Sequence, residues 1–412
     1  MAGALADPDT RRAAGMAAAQ LSSNAIAVIF TVVFARILGA SGYGSVAVLV
    51  SATIILAVPG SALQITVARQ LSRALVRGDS EAGSGVWQWL QRLALGTAIV
   101  AVAVIPLRGA IADVVSVDEP WGAAAVPVTG MLWAMLCVER GALQGLGAYG
   151  LVASSLVAEA LGRLLFALAL VGVGLDATGA FLGNALAFVA VGAMLAIPLT
   201  RRLPPAASGG AAERLRDLLM RTRVPVVALS LLFALQEVHI IVVKHQAQDD
   251  AAGSYAVAAV ASKAIVWIAI GLGLYLLPEA TRRTNAGIDA RPILSKSLAL
   301  VALCALPALA IFTFGGEQLL SAAFGEDLTA ASGALHWLGA AMTLLACTNL
   351  SVQYLLALHG RAFVAVLAIA VVAEIAVLAL VGANLEKLAF ALFLVQLACA
   401  AVIVPTAYRT TA

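Results

Sequence analysis

A glutamate and an arginine stand four residues apart in LVAEALGRLLFAL: Glu159 and Arg163. On a helix that spacing places both on one face, within ion-pair reach. Two chemistries fit. The pair neutralises itself so that burial is tolerable, or the carboxylate holds the arginine ready to grip a phosphate. Lys263 stands in AVASKAIVWIAI with no acid within one turn. Such an ammonium stays charged in apolar surroundings only beside water or an anionic ligand. Glu237 and His239, in LFALQEVHIIVVK, are two residues apart and so lie on different faces, which argues against a joint metal site. Glu237 can pair with Lys263 across a helix interface, or hold a proton or sodium ion. His239 reads as a hydrogen-bonded packing residue. Glu374, in VVAEIAVL, is a second candidate for ion binding. Arg36 closes an apolar stretch, where it can snorkel toward head groups or touch a ligand. Gln20, Asn24, Gln64, Asn184, Asn349, Gln353 and Gln396 are uncharged polar residues that can line a polar path or bond helix to helix.

The elements that carry these residues must be membrane helices. The 412 residues are 62% hydrophobic and only 11% charged, against roughly a quarter charged in soluble domains. A span needs about 20 apolar residues. By that rule twelve helices run near 14–37, 43–67, 86–107, 121–143, 148–173, 177–200, 224–245, 253–277, 293–314, 331–357, 362–383 and 387–408. The pattern lacks the two-residue alternation of a transmembrane barrel. The expected fold class is therefore an all-α polytopic bundle. Residues 1–200 form one six-helix bundle and residues 224–412 the other. Residues 201–223, with Pro-Pro, Gly-Gly and a return of charge, form a cytoplasmic linker with a short surface helix in AERLRDLLM.

An internal repeat supports two like halves. GSVAV from Gly44 returns as GSYAV from Gly253, and the same offset carries Arg73 onto Arg282. Six spans per half is an even number, so both halves enter the membrane the same way, related by an axis along its normal. Lys and Arg placement agrees. With a cytoplasmic N-terminus, 19 of 25 fall inside, Arg140 among them, and four outside: Arg36, Arg108, Lys244 and Lys387. That asymmetry fits the positive-inside rule. The repeat also relates AEA at 158–160 to AEI at 373–375, yet Leu378 stands where the second half would match Arg163. The four cysteines lie singly in apolar runs and read as packing residues. No cofactor or metal is implied. A duplicated bundle of this kind points to transport before enzymology. The 201–223 linker has no histidine, and the outer acids Glu317, Glu326 and Asp327 are the densest cluster an enzyme could use.

FARILGASGYGSVAVLVSA, spanning the first hairpin, resembles the polysaccharide transporter family, whose first hairpin carries Ala-Arg-x-Leu-Gly and then Gly-Tyr-Gly. The matching positions are Ala35, Arg36, Leu38, Gly39, Gly42, Tyr43 and Gly44. LQGLGAYG at 143–150 is similar to that family's turn between its fourth and fifth helices, with LALHGRAF at 356–363 as its counterpart. The resemblance implies the multidrug/oligosaccharidyl-lipid/polysaccharide exporter superfamily. Its implied activity is flipping undecaprenyl-diphosphate-linked oligosaccharide across the bacterial inner membrane, both termini cytoplasmic, beside the glycosyltransferases and polymerase of the same pathway. Related lipid II flippases usually carry two further helices, so a chain of twelve is expected outside that branch. Related multidrug exporters place an acid in the first helix, where this chain has Gln20 and Asn24. Proton- or sodium-coupled export of drugs or cations is the alternative. On the flippase reading, two bundles rock around a central cavity. Arg163 and Lys263 compensate the diphosphate, with Glu159, Arg36, Asn24 and Gln20 lining the path, while Glu237 and Glu374 bind the coupling ion.

Overall fold

A computed structural model describes residues 8–77, 82–203, 211–285, 288–358 and 360–410. The expectations for Arg11 and Arg12, for linker residues 204–210 and for His359 lie on side chains or segments outside that description. Every regular element among the described residues is helical.

Chain order runs α1 (Pro8–Val76), α2 (Ala82–Val115), α3 (Pro120–Gly145), α4 (Tyr149–Gly172), α5 (Asp176–Arg202), α6 (Ala211–Gln246), α7 (Asp249–Asn285), α8 (Arg291–Phe314), the short α9 (Gly316–Phe324), a 3₁₀ turn (Glu326–Leu328), α10 (Ser332–Ala357), α11 (Phe363–Val381) and α12 (Leu385–Arg409). Eleven of these are long and apolar enough to cross a membrane. The first supplies two crossings. At about 1.5 Å per residue its 69 residues would run roughly 100 Å, several bilayer cores deep, if straight. It breaks at Gly39, whose φ of 68° and ψ of −173° are open in practice only to glycine. Twelve passes result. The helical backbone continues through Pro59 and Pro127. In the linker region, α5 runs on through Arg202, and residues 211–223 form one helix with the seventh span.

Two compact units emerge: residues 1–34 with 56–223, and residues 35–55 with 224–412. The division differs from a cut at the linker alone, because the outer part of the first hairpin packs with the second half. The repeat itself supplies the reason. A Cβ added to Gly44 would lie 3.1 Å from Gly253 Cα, and one added to Gly253 would overlap the carbonyl oxygen of Ala40. The equivalent glycines of GSVAV and GSYAV touch each other, because only side chains of hydrogen let two helix backbones come this close.

Within the second unit, α10 is the most enclosed span and packs against α7, α8 and α12. The outward faces are apolar: Leu303, Phe314, Ile369, Val372 and Leu380 are all more than half exposed. Polar residues are turned inward, among them Arg140, Glu237, Lys263, Glu374 and Gln396. A lipid solvent imposes this inversion, since each charge facing hydrocarbon costs about 2.5–3.5 kcal/mol or more.

Candidate functional site

In the first unit, α3 and α4 build a charged cluster around Arg140. This side chain is 1% exposed. Its Nη2 lies 2.7 Å from Glu159 Oε2, its Nε donates to Ser155 Oγ at 2.9 Å, and Nη2 donates to the Ser155 carbonyl at 3.0 Å. Its guanidinium also sits 5.7 Å from the centre of the Trp133 ring. Arg140 of the neighbouring helix thus reaches the Glu159 carboxylate, a contact that the spacing of Glu159 and Arg163 does not point to. The sequence places Arg140 on the cytoplasmic side by its position near a helix end, and the fold buries it between α3 and α4.

Arg163 lies near the middle of α4, half-buried, with its guanidinium carbon 5.1 Å from the centre of the Phe30 ring. Cation–π contact of this kind holds the guanidinium against an aromatic wall. Beside Arg140, Glu139 was missed by sequence reading. It is 7% exposed, and its Oε2 is buried without a hydrogen-bond partner. Gly192 of α5 makes room for it: an added Cβ there would stand 3.3 Å from that oxygen. Buried donors of this unit without a hydrogen-bond partner include Trp89 Nε1, Trp133 Nε1 and Arg140 Nη1. Gln20 donates to Asn24 Oδ1 at 3.0 Å on the first limb of α1, so these two satisfy each other on an exposed face.

In the second unit, Lys263 and Glu237 form a buried ion pair, Nζ to Oε2 at 2.7 Å. Ser51 Oγ donates to the same oxygen at 2.7 Å, and Gln236 Nε2 donates to Oε1 at 3.0 Å. Lys263 is thus already compensated by Glu237, one of the two arrangements the sequence left open, and Glu237 has every oxygen engaged. His239 is fully buried, with Nε2 3.1 Å from the Gln236 carbonyl and Nδ1 3.2 Å from the Tyr255 hydroxyl. A carbonyl only accepts, so the ring donates from Nε2 and accepts at Nδ1. Glu374 is buried on α11 and receives Gln396 Nε2 of α12 at 3.1 Å. Gln353 donates to Asn349 Oδ1 one turn away on α10.

Arg36 is anchored by two backbone carbonyls of the second half. Its Nη2 donates to the Ala322 carbonyl at 2.7 Å and its Nε to the Ala323 carbonyl at 3.1 Å. These are among the last carbonyls of α9, which have no partner within that helix. A cavity of about 270 Å³ opens there, lined by Arg36, Gly39, Ser321, Glu326 and Asp327 among others. Nearby, Lys244 pairs with Asp249. Among the described residues, no group of three or more His, Cys, Asp or Glu is placed to hold a metal ion.

These helices superpose on solved transporters over almost their whole length. An inward-facing multidrug resistance MATE family transporter of the MOP superfamily matches with a TM-score of 0.78 at 11% identity, over 94% of each chain. The fold is MATE-like. An outward-facing MATE transporter matches with a TM-score of 0.66 at 11% identity, over 97% of this chain and 96% of the other. A MOP superfamily transporter from Pyrococcus furiosus, described by the reverse polarity of its binding pocket, matches with a TM-score of 0.65 at 11% identity, over 96% and 94%. No protein-family model and no curated protein sequence matches the chain. At this identity the likeness establishes architecture: an all-helical, MATE-like fold with two bundles of six helices.

Proposed function

We propose that this chain is a membrane transporter that flips an undecaprenyl-diphosphate-linked oligosaccharide from the inner to the outer leaflet of a bacterial cytoplasmic membrane. Its two bundles alternate access to the cargo, and both termini face the cytoplasm. The observation that carries the reading is Arg163, half-buried in the middle of a span. A guanidinium at that depth is too costly to face hydrocarbon, and in a polar path between the helices an anionic head group would be a favourable partner for it. The Gly-Tyr-Gly hairpin motif at Gly42, Tyr43 and Gly44 supports the same cargo class. The fold supports the mode, since inward- and outward-facing transporters share it. Lys263 is a weaker candidate for the cargo, because Glu237 already compensates it. Gln20 and Asn24 remain candidates for contact with the sugar. Glycosyltransferases and a polymerase acting on the same lipid-linked sugar are the expected partners.

A second reading, ion-coupled export of drugs or cations, is favoured by the buried carboxyls Glu139 and Glu374. The two are separated by reconstituting the protein into vesicles with a fluorescent lipid-linked oligosaccharide in one arm and a lipophilic cation dye in the other. The flippase reading expects movement of the lipid, slowed about tenfold or more by Arg163→Gln, the loss of one charge-assisted contact being worth about 1.5–3 kcal/mol. Dye efflux with an unmoved lipid would overturn it in favour of the exporter.

A further inference from the structure

The second unit buries a carboxyl that no cation neutralises. Glu374 of α11 is fully buried, and among the described residues it forms no ion pair. One hydrogen bond reaches it, from Gln396 Nε2 of α12 to Oε2 at 3.1 Å. The same Nε2 also donates to the Leu235 carbonyl of α6 at 3.3 Å. Two acceptors are left buried with no donor: Glu374 Oε1 and Gln396 Oε1. Glu237, in the same unit, is the contrast. Its charge is matched by Lys263, and Ser51 and Gln236 donate to its oxygens.

A bare carboxylate in a low-dielectric interior is strongly unfavourable. A proton removes the charge and adds the missing donor, because a carboxylic acid offers one O–H beside its remaining acceptor capacity. An acid and a primary amide are complementary: amide N–H to acid oxygen, acid O–H to amide oxygen. The first of these bonds is present. The surrounding elements supply no competing charge. Tyr255 of α7 and Cys399 of α12 are the titratable groups within electrostatic reach. His239 of α6 stands behind Tyr255, and its other nitrogen leads through Gln236 to the Glu237–Lys263 pair.

We propose that Glu374 is a proton-binding site, loaded as an acid–amide pair with Gln396. Binding is simple protonation: a carboxylate oxygen takes H⁺ from water and returns it to water when the site opens. The proposal deepens the transporter reading by naming the ion as a proton and the carrier as Glu374 rather than Glu237. Protonation can be read without any cargo, so its failure is separable from failure of that reading.

The test is infrared difference spectroscopy on the full-length purified protein in nanodiscs, stepped from acid to alkaline buffer. A protonated-carboxyl C=O component that persists above the pH range of exposed carboxyls is expected in the wild type, absent from Glu374→Gln and unchanged in Glu237→Gln. Gln396→Leu keeps the carboxyl but removes its amide, so the band must shift in frequency; this variant decides the matter if Glu374→Gln does not fold. A spectrum with no Glu374-dependent acid band at any buffer pH, or a band indifferent to Gln396→Leu, overturns the proposal.

Discussion

Lys263 and Glu237 illustrate how a buried charge acquires its role from a partner rather than from its own chemistry. Their contact at 2.7 Å, between residues 5% and 1% exposed, makes each the other's counter-ion. Removing one partner of such a pair costs about 3–5 kcal/mol, because the remaining charge is stranded. Lys263→Met is therefore expected to lower the unfolding temperature in detergent sharply. Glu237→Gln combined with Lys263→Met should recover most of the loss, and a double variant no more stable than the single would show that the pair is not the cause. Arg140→Gln should likewise destabilise, by stripping Glu159, whereas Arg163→Gln should slow transport. Outside the spans, hydrogen bonds from Arg282 and then Arg283 hold the Glu279 carboxyl down at about 2. A depressed carboxyl contributes its stabilisation above its unfolded value and loses it only as pH falls through the folded one. This cluster should therefore be indifferent to pH across the neutral range, and a titration of Glu279 followed by NMR should show no step above about pH 4.

At the scale of elements, two glycines in the first hairpin do different work. Gly39 has open space around its missing side chain, so alanine there meets strain and no clash. Its backbone conformation costs a non-glycine residue about 1–3 kcal/mol. Gly253 has a helical backbone with no such strain but no room: its added carbon would overlap Ala40. Gly253→Ala is expected to push the first hairpin off α7, with a stability loss of about 1–3 kcal/mol as in other overpacked sites. Thermal unfolding in detergent checks this, and a Gly253→Ala variant as stable as the wild type would show that the contact is looser than it looks. The Gly44 and Gly253 repeat was visible as five-residue words. That the two copies lie against each other was not, because a repeat states equivalence and says nothing of proximity.

For the whole molecule, the proposed orientation puts both ends of the chain in the cytoplasm. A C-terminal fluorescent protein should then glow in intact cells, while an alkaline phosphatase fused at the same point should stay inactive. The opposite outcome would require an inverted orientation or an odd number of crossings. The twelve passes, the hairpin turn at Gly39 and the inward-turned polar residues could be read in advance, because lipid constrains span length and polarity one helix at a time. Glu159 marks where that reading ends. Its helix neighbour Arg163 was the partner that local spacing offered, and Arg140, nineteen residues earlier, is the partner that packing delivers. Glu139 passed unnoticed for a related reason: nothing in the run CVERG separates a carboxylate at a membrane surface from one tucked against Gly192 of α5. Arg36 was legible as a cation at a helix end but not as the group that donates to the last carbonyls of α9. What the chain alone determined is what the bilayer demands of each segment separately: length, apolarity, charge at the ends. What only the tertiary structure decided is which buried charge meets which, since that depends on the rotation and crossing of helices far apart in sequence, and no local rule carries that information.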